Sequence, residues 1–170
     1  AADASGAQAV VKLLGERLVR DPTYRQLLRD EGEIGRSLAH PNLVSVLLAD
    51  EDDLEPFVVL EYVDGVDLWR LQRALQRTQR RMESPLACHL LASVLAGLSH
   101  LHNARDPQGE TMIHRDVSPS NVLLSRGGEV KLGDFGIAAT MNTPPATLRG
   151  KIGYMAPEVL TGATVDHRAD

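Results

Sequence analysis

Apolar positions along the chain change period several times, and each change marks an element. Residues 8–14, QAVVKLL, read as an apolar strand broken by a single charge, Lys12. Asp21-Pro22 then supply a cap with proline at the first helical position. Tyr24, Leu27, Leu28, Glu31, Ile34 and Leu38 follow at steps of three and four, so a helix is predicted as far as His40-Pro41-Asn42. Residues 43–50 and 56–63 read as paired strands across the acidic turn Glu51-Asp52-Asp53. From Asp67 the pattern becomes helical and basic. Arg70, Arg73, Arg77, Arg80 and Arg81 are expected on a solvated face, with Trp69 and Leu75 covering the other side. Ser84-Pro85 open a second helix whose broad apolar face is Leu90, Leu91, Val94, Leu95, Leu98 and Leu101. Polar turn residues 105–111 follow. VLLS and EVKLGDF then form a hairpin about Arg126-Gly127-Gly128, which brings Asn121 and Asp134 to neighbouring strand ends.

Composition narrows the classes of function. The chain has 170 residues, 43% of them hydrophobic, enough to bury a core. Its 18 Lys and Arg against 23 Asp and Glu give a formal net charge of -5, which argues against nucleic acid as a partner. The single Cys88 lies in an apolar helical stretch and is expected to be a buried thiol. No membrane segment or signal peptide is read in this chain, and a cytoplasmic location is expected, with an anchor elsewhere in the parent left open.

The chemistry concentrates between Ile113 and Gly136. His114-Arg115-Asp116 is followed after five residues by Asn121, and Asp134-Phe135-Gly136 begins eighteen residues after Asp116. Phosphoryl transfer needs a carboxylate that orients and deprotonates an incoming hydroxyl. It also needs a second carboxylate and an amide oxygen to hold magnesium against the phosphates.

Both triplets, with these spacings, resemble the catalytic and magnesium loops of the eukaryotic-type protein kinase family. The resemblance implies a two-lobed α+β kinase fold, with 1–63 as small lobe and hinge and 64–170 as the first half of the large lobe. It implies a fragment, because residues 1–11 carry no GxGxxG and the chain stops where the central large-lobe helix should begin; residues 1–170 alone are expected to be inactive. It implies ATP and Mg2+ as cofactors and Ser or Thr of protein substrates as acceptors. Asp116 becomes the base, Asn121 and Asp134 the magnesium ligands, and His114 a packed structural residue. Lys12 and Glu31 match the ATP-orienting ion pair, Glu33 being a neighbouring alternative on another side of the helix. Leu60 stands at the gatekeeper position. The Glu61 carbonyl and the Val63 amide and carbonyl stand where adenine is bound, and Asp67 where the ribose is contacted. Ala156-Pro157-Glu158 match the APE motif. Thr147 is placed as the activating phosphosite with Arg115 as counter-charge, Thr140 and Thr143 being read as loop residues. Asp170 matches an acidic residue that bonds the catalytic-loop backbone.

Four positions depart from the family pattern. Val10 replaces a smaller residue at the adenine and Gly35 an apolar helix residue, and both are expected to weaken packing. Ser118 stands where a lysine is usual, two residues after Asp116, and Lys151 stands where a threonine is usual. Similar substitutions occur in a bacterial branch of the family, of the kind found in myxobacteria. The pair is read as an exchange that gives Lys151 and Ser118 catalytic tasks. A nucleotide-binding pseudokinase scaffold and a small-molecule phosphotransferase are the alternatives. Retention of the reacting groups weighs against the first, and the APE motif against the second.

Overall fold

The computed structural model describes residues 8–52, 55–106, 109–134 and 151–170, together with the backbone of 139–140. The chain folds as a mixed helix and strand protein in which two small sheets meet at a seam. The first sheet has the order β1-β3-β2, all antiparallel, from β1 (Ala9–Leu13), β2 (Val46–Asp52) and β3 (Glu55–Glu61). Helix α1 (Pro22–Ser37) lies across it. Its start is set as the sequence indicates: the Asp21 carboxylate accepts the Thr23 N–H at 2.9 Å, with Pro22 beginning the helix.

Gly35 behaves contrary to expectation. It is buried, and a Cβ there would run into the Val46 side chain, so the missing side chain is what lets α1 settle on β2. The strand expected from Leu43 begins only at Val46. Leu43 and Val44 instead bridge to the far side of the seam, where Val44 N–H donates to the Leu132 carbonyl at 2.9 Å and Leu132 N–H to the Asn42 carbonyl at 2.9 Å. The Asn42 amide adds a bond to the Val130 carbonyl at 2.8 Å. The turn after α1 is thus a stitch between the sheets.

The second sheet runs β4-β6-β7, from β4 (Gly65–Asp67), β6 (Val122–Ser125) and β7 (Val130–Leu132). A third pair joins β5 (Met112–Ile113) to β8 (Ala139–Thr140), which places the Thr140 backbone. Helix α2 (Leu68–Arg77) buries none of its residues. Trp69, expected to cover an apolar side, is 48% exposed, with the Arg73 guanidinium 5.1 Å above its ring. Helix α3 (Ser84–Asn103) begins at Ser84 itself, without a side-chain cap.

By length and composition alone α3 could cross a membrane, an 18-residue stretch of its 20 residues having a mean hydropathy of 1.3. Here it is a core helix. Leu90, Val94, Leu98 and Leu101 join Leu38, Leu43, Met112, Val122, Val130 and Leu132 in one apolar cluster under the seam. The face is narrower than expected, since Leu91 and Leu95 are exposed, as is Cys88. Steps of three and four from Leu90 select one side of the helix, and those three residues fall off it. The chain closes with a 3₁₀ turn at Ile152–Tyr154, α4 (Pro157–Thr161) and a second 3₁₀ turn at His167–Ala169.

Candidate active site

The hairpin β6–β7 turns where expected, with Gly128 at φ 89° and its N–H donating to the Ser125 carbonyl at 3.1 Å. At its open end Gly133 N–H donates to the Asn121 carbonyl at 2.8 Å, so Asn121 and Asp134 emerge side by side. The strand stops there, short of the expected EVKLGDF, because Asp134 takes φ 55° and leaves the sheet direction. Arg115, at φ 64°, is the second left-handed residue of the site, and the two mark where backbone is held in unusual form around Asp116.

Asp116 is fixed from several sides. The Asn121 amide donates to its carbonyl oxygen at 2.7 Å and to carboxylate Oδ2 at 2.9 Å, and Lys151 N–H donates to Oδ1 at 3.2 Å. Below it, Asp170 is nearly inaccessible. Its carboxylate accepts the backbone N–H groups of His114 and Arg115, each at 2.7 Å, as the sequence match implied. His102, which sequence reasoning did not single out, adds Nε2 to the same carboxylate at 2.8 Å. The His114 ring is fully buried. Burial pushes its pKa down, against the opposing pull of the Asp170 carboxylate, so the ring is a neutral packing element.

On the first sheet, Lys12 Nζ lies 2.6 Å from Glu31 Oε1 and 2.7 Å from Asp134 Oδ1. Burial acts to lower the Lys12 pKa, but the two carboxylates outweigh it and raise it above the usual lysine value. Glu31 is 3% exposed while Glu33 faces solvent, which resolves the choice between them. Lysine, helix carboxylate and loop carboxylate therefore form one charged line from β1 to the end of β7.

At the seam, half-buried Leu60 stands opposite Val10 on β1. The Glu61 carboxylate accepts the Ser45 N–H at 2.7 Å and the Lys131 ammonium at 2.8 Å, tying the segment between the sheets to β7. Lys131 was missed; its signal was a lone charge inside the otherwise apolar run VKL. Among the described residues no hydrogen bond engages the Val63 backbone N–H or carbonyl. Asp67 caps α2, accepting the Arg70 N–H at 2.7 Å. Thr147, with its expected pairing to Arg115, and Thr143 lie outside the described residues. A magnesium ion would meet an amide oxygen from Asn121 and a half-exposed carboxylate from Asp134. These hard oxygen donors, few in number, suit an ion that keeps waters and shares phosphate ligands.

Comparison with known proteins agrees with this geometry. The family described as "Protein kinase domain" matches residues 2–170. Over 97% of its length the chain is 35% identical to a probable serine/threonine-protein kinase, SCO3848, of Streptomyces coelicolor, covering 24% of that protein. It is 33% identical over 99% of its length to the tyrosine-protein kinase MasK of Myxococcus xanthus, covering 27% of it. The crystal structure of the Mycobacterium tuberculosis PknI kinase domain superposes with a TM-score of 0.69 at 30% identity, covering 95% of this chain and 58% of that one. The chain thus spans about a quarter of the curated relatives' length and over half of a solved kinase domain. It belongs to the protein kinase domain family.

Proposed function

We infer that this chain carries the catalytic centre of a kinase that transfers the γ-phosphoryl group of Mg-ATP to Ser or Thr hydroxyls of protein substrates. The observation that carries the reading is the pairing of two fixed groups. Asp116 is held by Asn121 on one wall of the cleft, and the Lys12–Glu31–Asp134 line stands on the other. In this reading Asp116 accepts the proton of the acceptor hydroxyl and Lys12 steers the ATP phosphates. Asn121 and Asp134 would hold magnesium, which supplies charge neutralisation at the phosphates when bound. The uncommitted Val63 backbone groups suit an adenine edge, with Leu60 beside it, the Glu61 carbonyl as a second contact and Asp67 near the ribose. Thr147 remains the proposed activating phosphosite, and cytoplasm the proposed location, where ATP is available.

Retention of Lys12, Glu31, Asp116, Asn121 and Asp134 favours an active enzyme over a nucleotide-binding scaffold. One relative is named a tyrosine kinase and one a serine/threonine kinase, so the acceptor is part of the test. In the full-length protein, Asp116→Asn is expected to lower kcat about a thousandfold or more while leaving nucleotide affinity within about threefold. Undiminished turnover in that variant would contradict the assignment.

A further inference from the structure

One cation in the cleft has no task in the scheme above. Lys151 precedes the 3₁₀ turn Ile152–Tyr154 and comes to the catalytic loop from a separate part of the chain. Its ammonium lies 2.9 Å from Ser118 Oγ, and 3.5 Å from both Asp116 Oδ2 and Asn121 Oδ1. Only the first is a short hydrogen bond. At 3.5 Å the other two act through charge more than through a formed bond, and an ammonium has three donors to give. Ser118 is 3% exposed, and its oxygen also lies 3.3 Å from Ser120 Oγ, so the hydroxyl proton can point to Ser120 while a lone pair seats the lysine. The Lys151 side chain remains 47% exposed, open to a group entering the cleft.

Position decides what such a charge can do. Asp116 faces the acceptor and Asn121 faces the donor phosphates, so the phosphoryl group must pass between them, and the ammonium stands beside both. Among the described residues Lys151 is the one cation ion-paired with Asp116, while Lys12 is engaged by Glu31 and Asp134.

We propose that Lys151 is a catalytic residue whose ammonium stabilises the transferring phosphoryl group, with Ser118 as its positioning residue; this rests on the kinase reading. In the step, the acceptor oxygen bonds to the γ-phosphorus and gives its proton to Asp116. The bond from that phosphorus to the bridging oxygen breaks, and its electron pair leaves with ADP. Lys151 keeps its proton throughout and lends charge to the non-bridging oxygens, where preorganised donors act most strongly.

A double-substitution cycle in the full-length protein tests this. Lys151→Thr is expected to lower kcat about a hundredfold, with affinity for a fluorescent Mg-ATP analogue unchanged within about twofold. Adding Ser118→Lys, which returns an ammonium to the same place from the other side, is expected to recover at least about tenfold. That recovery, with retained nucleotide binding, separates lost charge from lost folding. A Lys151→Thr enzyme within about threefold of wild type, nucleotide affinity that falls in step with kcat, or no recovery in the double variant would each overturn the proposal. If wild type itself transfers no phosphate, the kinase reading fails and the proposal with it; an active wild type beside an equally active Lys151→Thr removes the proposal alone.

Discussion

His114 shows how burial changes what a residue is for. By spacing it belongs to the motif that carries Asp116, yet the ring has no access to solvent, and burial lowers its pKa from the ordinary 6.5. The unfolded chain therefore takes up a proton below about pH 6.5 that the folded chain refuses, and stability rises with pH through that window before levelling off. His40, whose pKa is also lowered, by desolvation and then by the charge of His100, adds to the same slope. Thermal unfolding followed from pH 5 to 8 is expected to show this acid-side loss, and His114→Gln is expected to flatten it even while lowering stability at neutral pH. An unchanged slope in the variant would place the acid sensitivity elsewhere. Lys12 behaves in the opposite sense, since its carboxylate neighbours hold the proton more firmly than water does. It stays charged across the whole working range, as the proposed phosphate-steering role requires.

Among the elements, α1 depends on two buried glycines. It presents Glu31 to Lys12 only because it lies close to β2, and Gly32 and Gly35 are the points of close approach, where a Cβ would run into Ala49 and Val46. Gly35→Val should push the helix off Val46 and draw Glu31 away from Lys12. The expected cost is about 1–3 kcal/mol of stability, as for other overpacked cores, with weaker nucleotide binding in the same variant. Nucleotide titration alongside a denaturant melt measures both; wild-type values for each would show that α1 has room there. Much of the element pattern was legible beforehand. Asp21-Pro22 and the turn at Gly128 carry strong local signals that no packing overrides. The misread positions are those decided by partners distant in sequence. Leu43 and Val44 look like the start of a strand but bond across to Leu132, and Leu91, Leu95 and Cys88 are apolar without lying on the face that packs.

For the molecule as a whole, function depends on how the two sheets are held together. The Leu43–Leu132 bridge, the Asn42 amide on Val130 and the Glu61–Lys131 ion pair all fasten the side bearing Lys12 to the strand that leads into Asp134. None of these was visible in the sequence, since each joins residues far apart along the chain. Asp116, Asn121 and Asp134 were visible, because their spacing is set by one loop and one hairpin. Their convergence with Lys12 and Glu31 is what makes phosphoryl transfer the central claim. The most direct measurement follows the γ-phosphate of labelled ATP into protein, using the full-length protein with and without magnesium, and identifies the labelled amino acid. Label on serine or threonine that disappears on chelation of the metal and is lost in Asp116→Asn is the expected result. Label that never reaches protein, or that the Asp116→Asn variant transfers as fast as wild type, would contradict it.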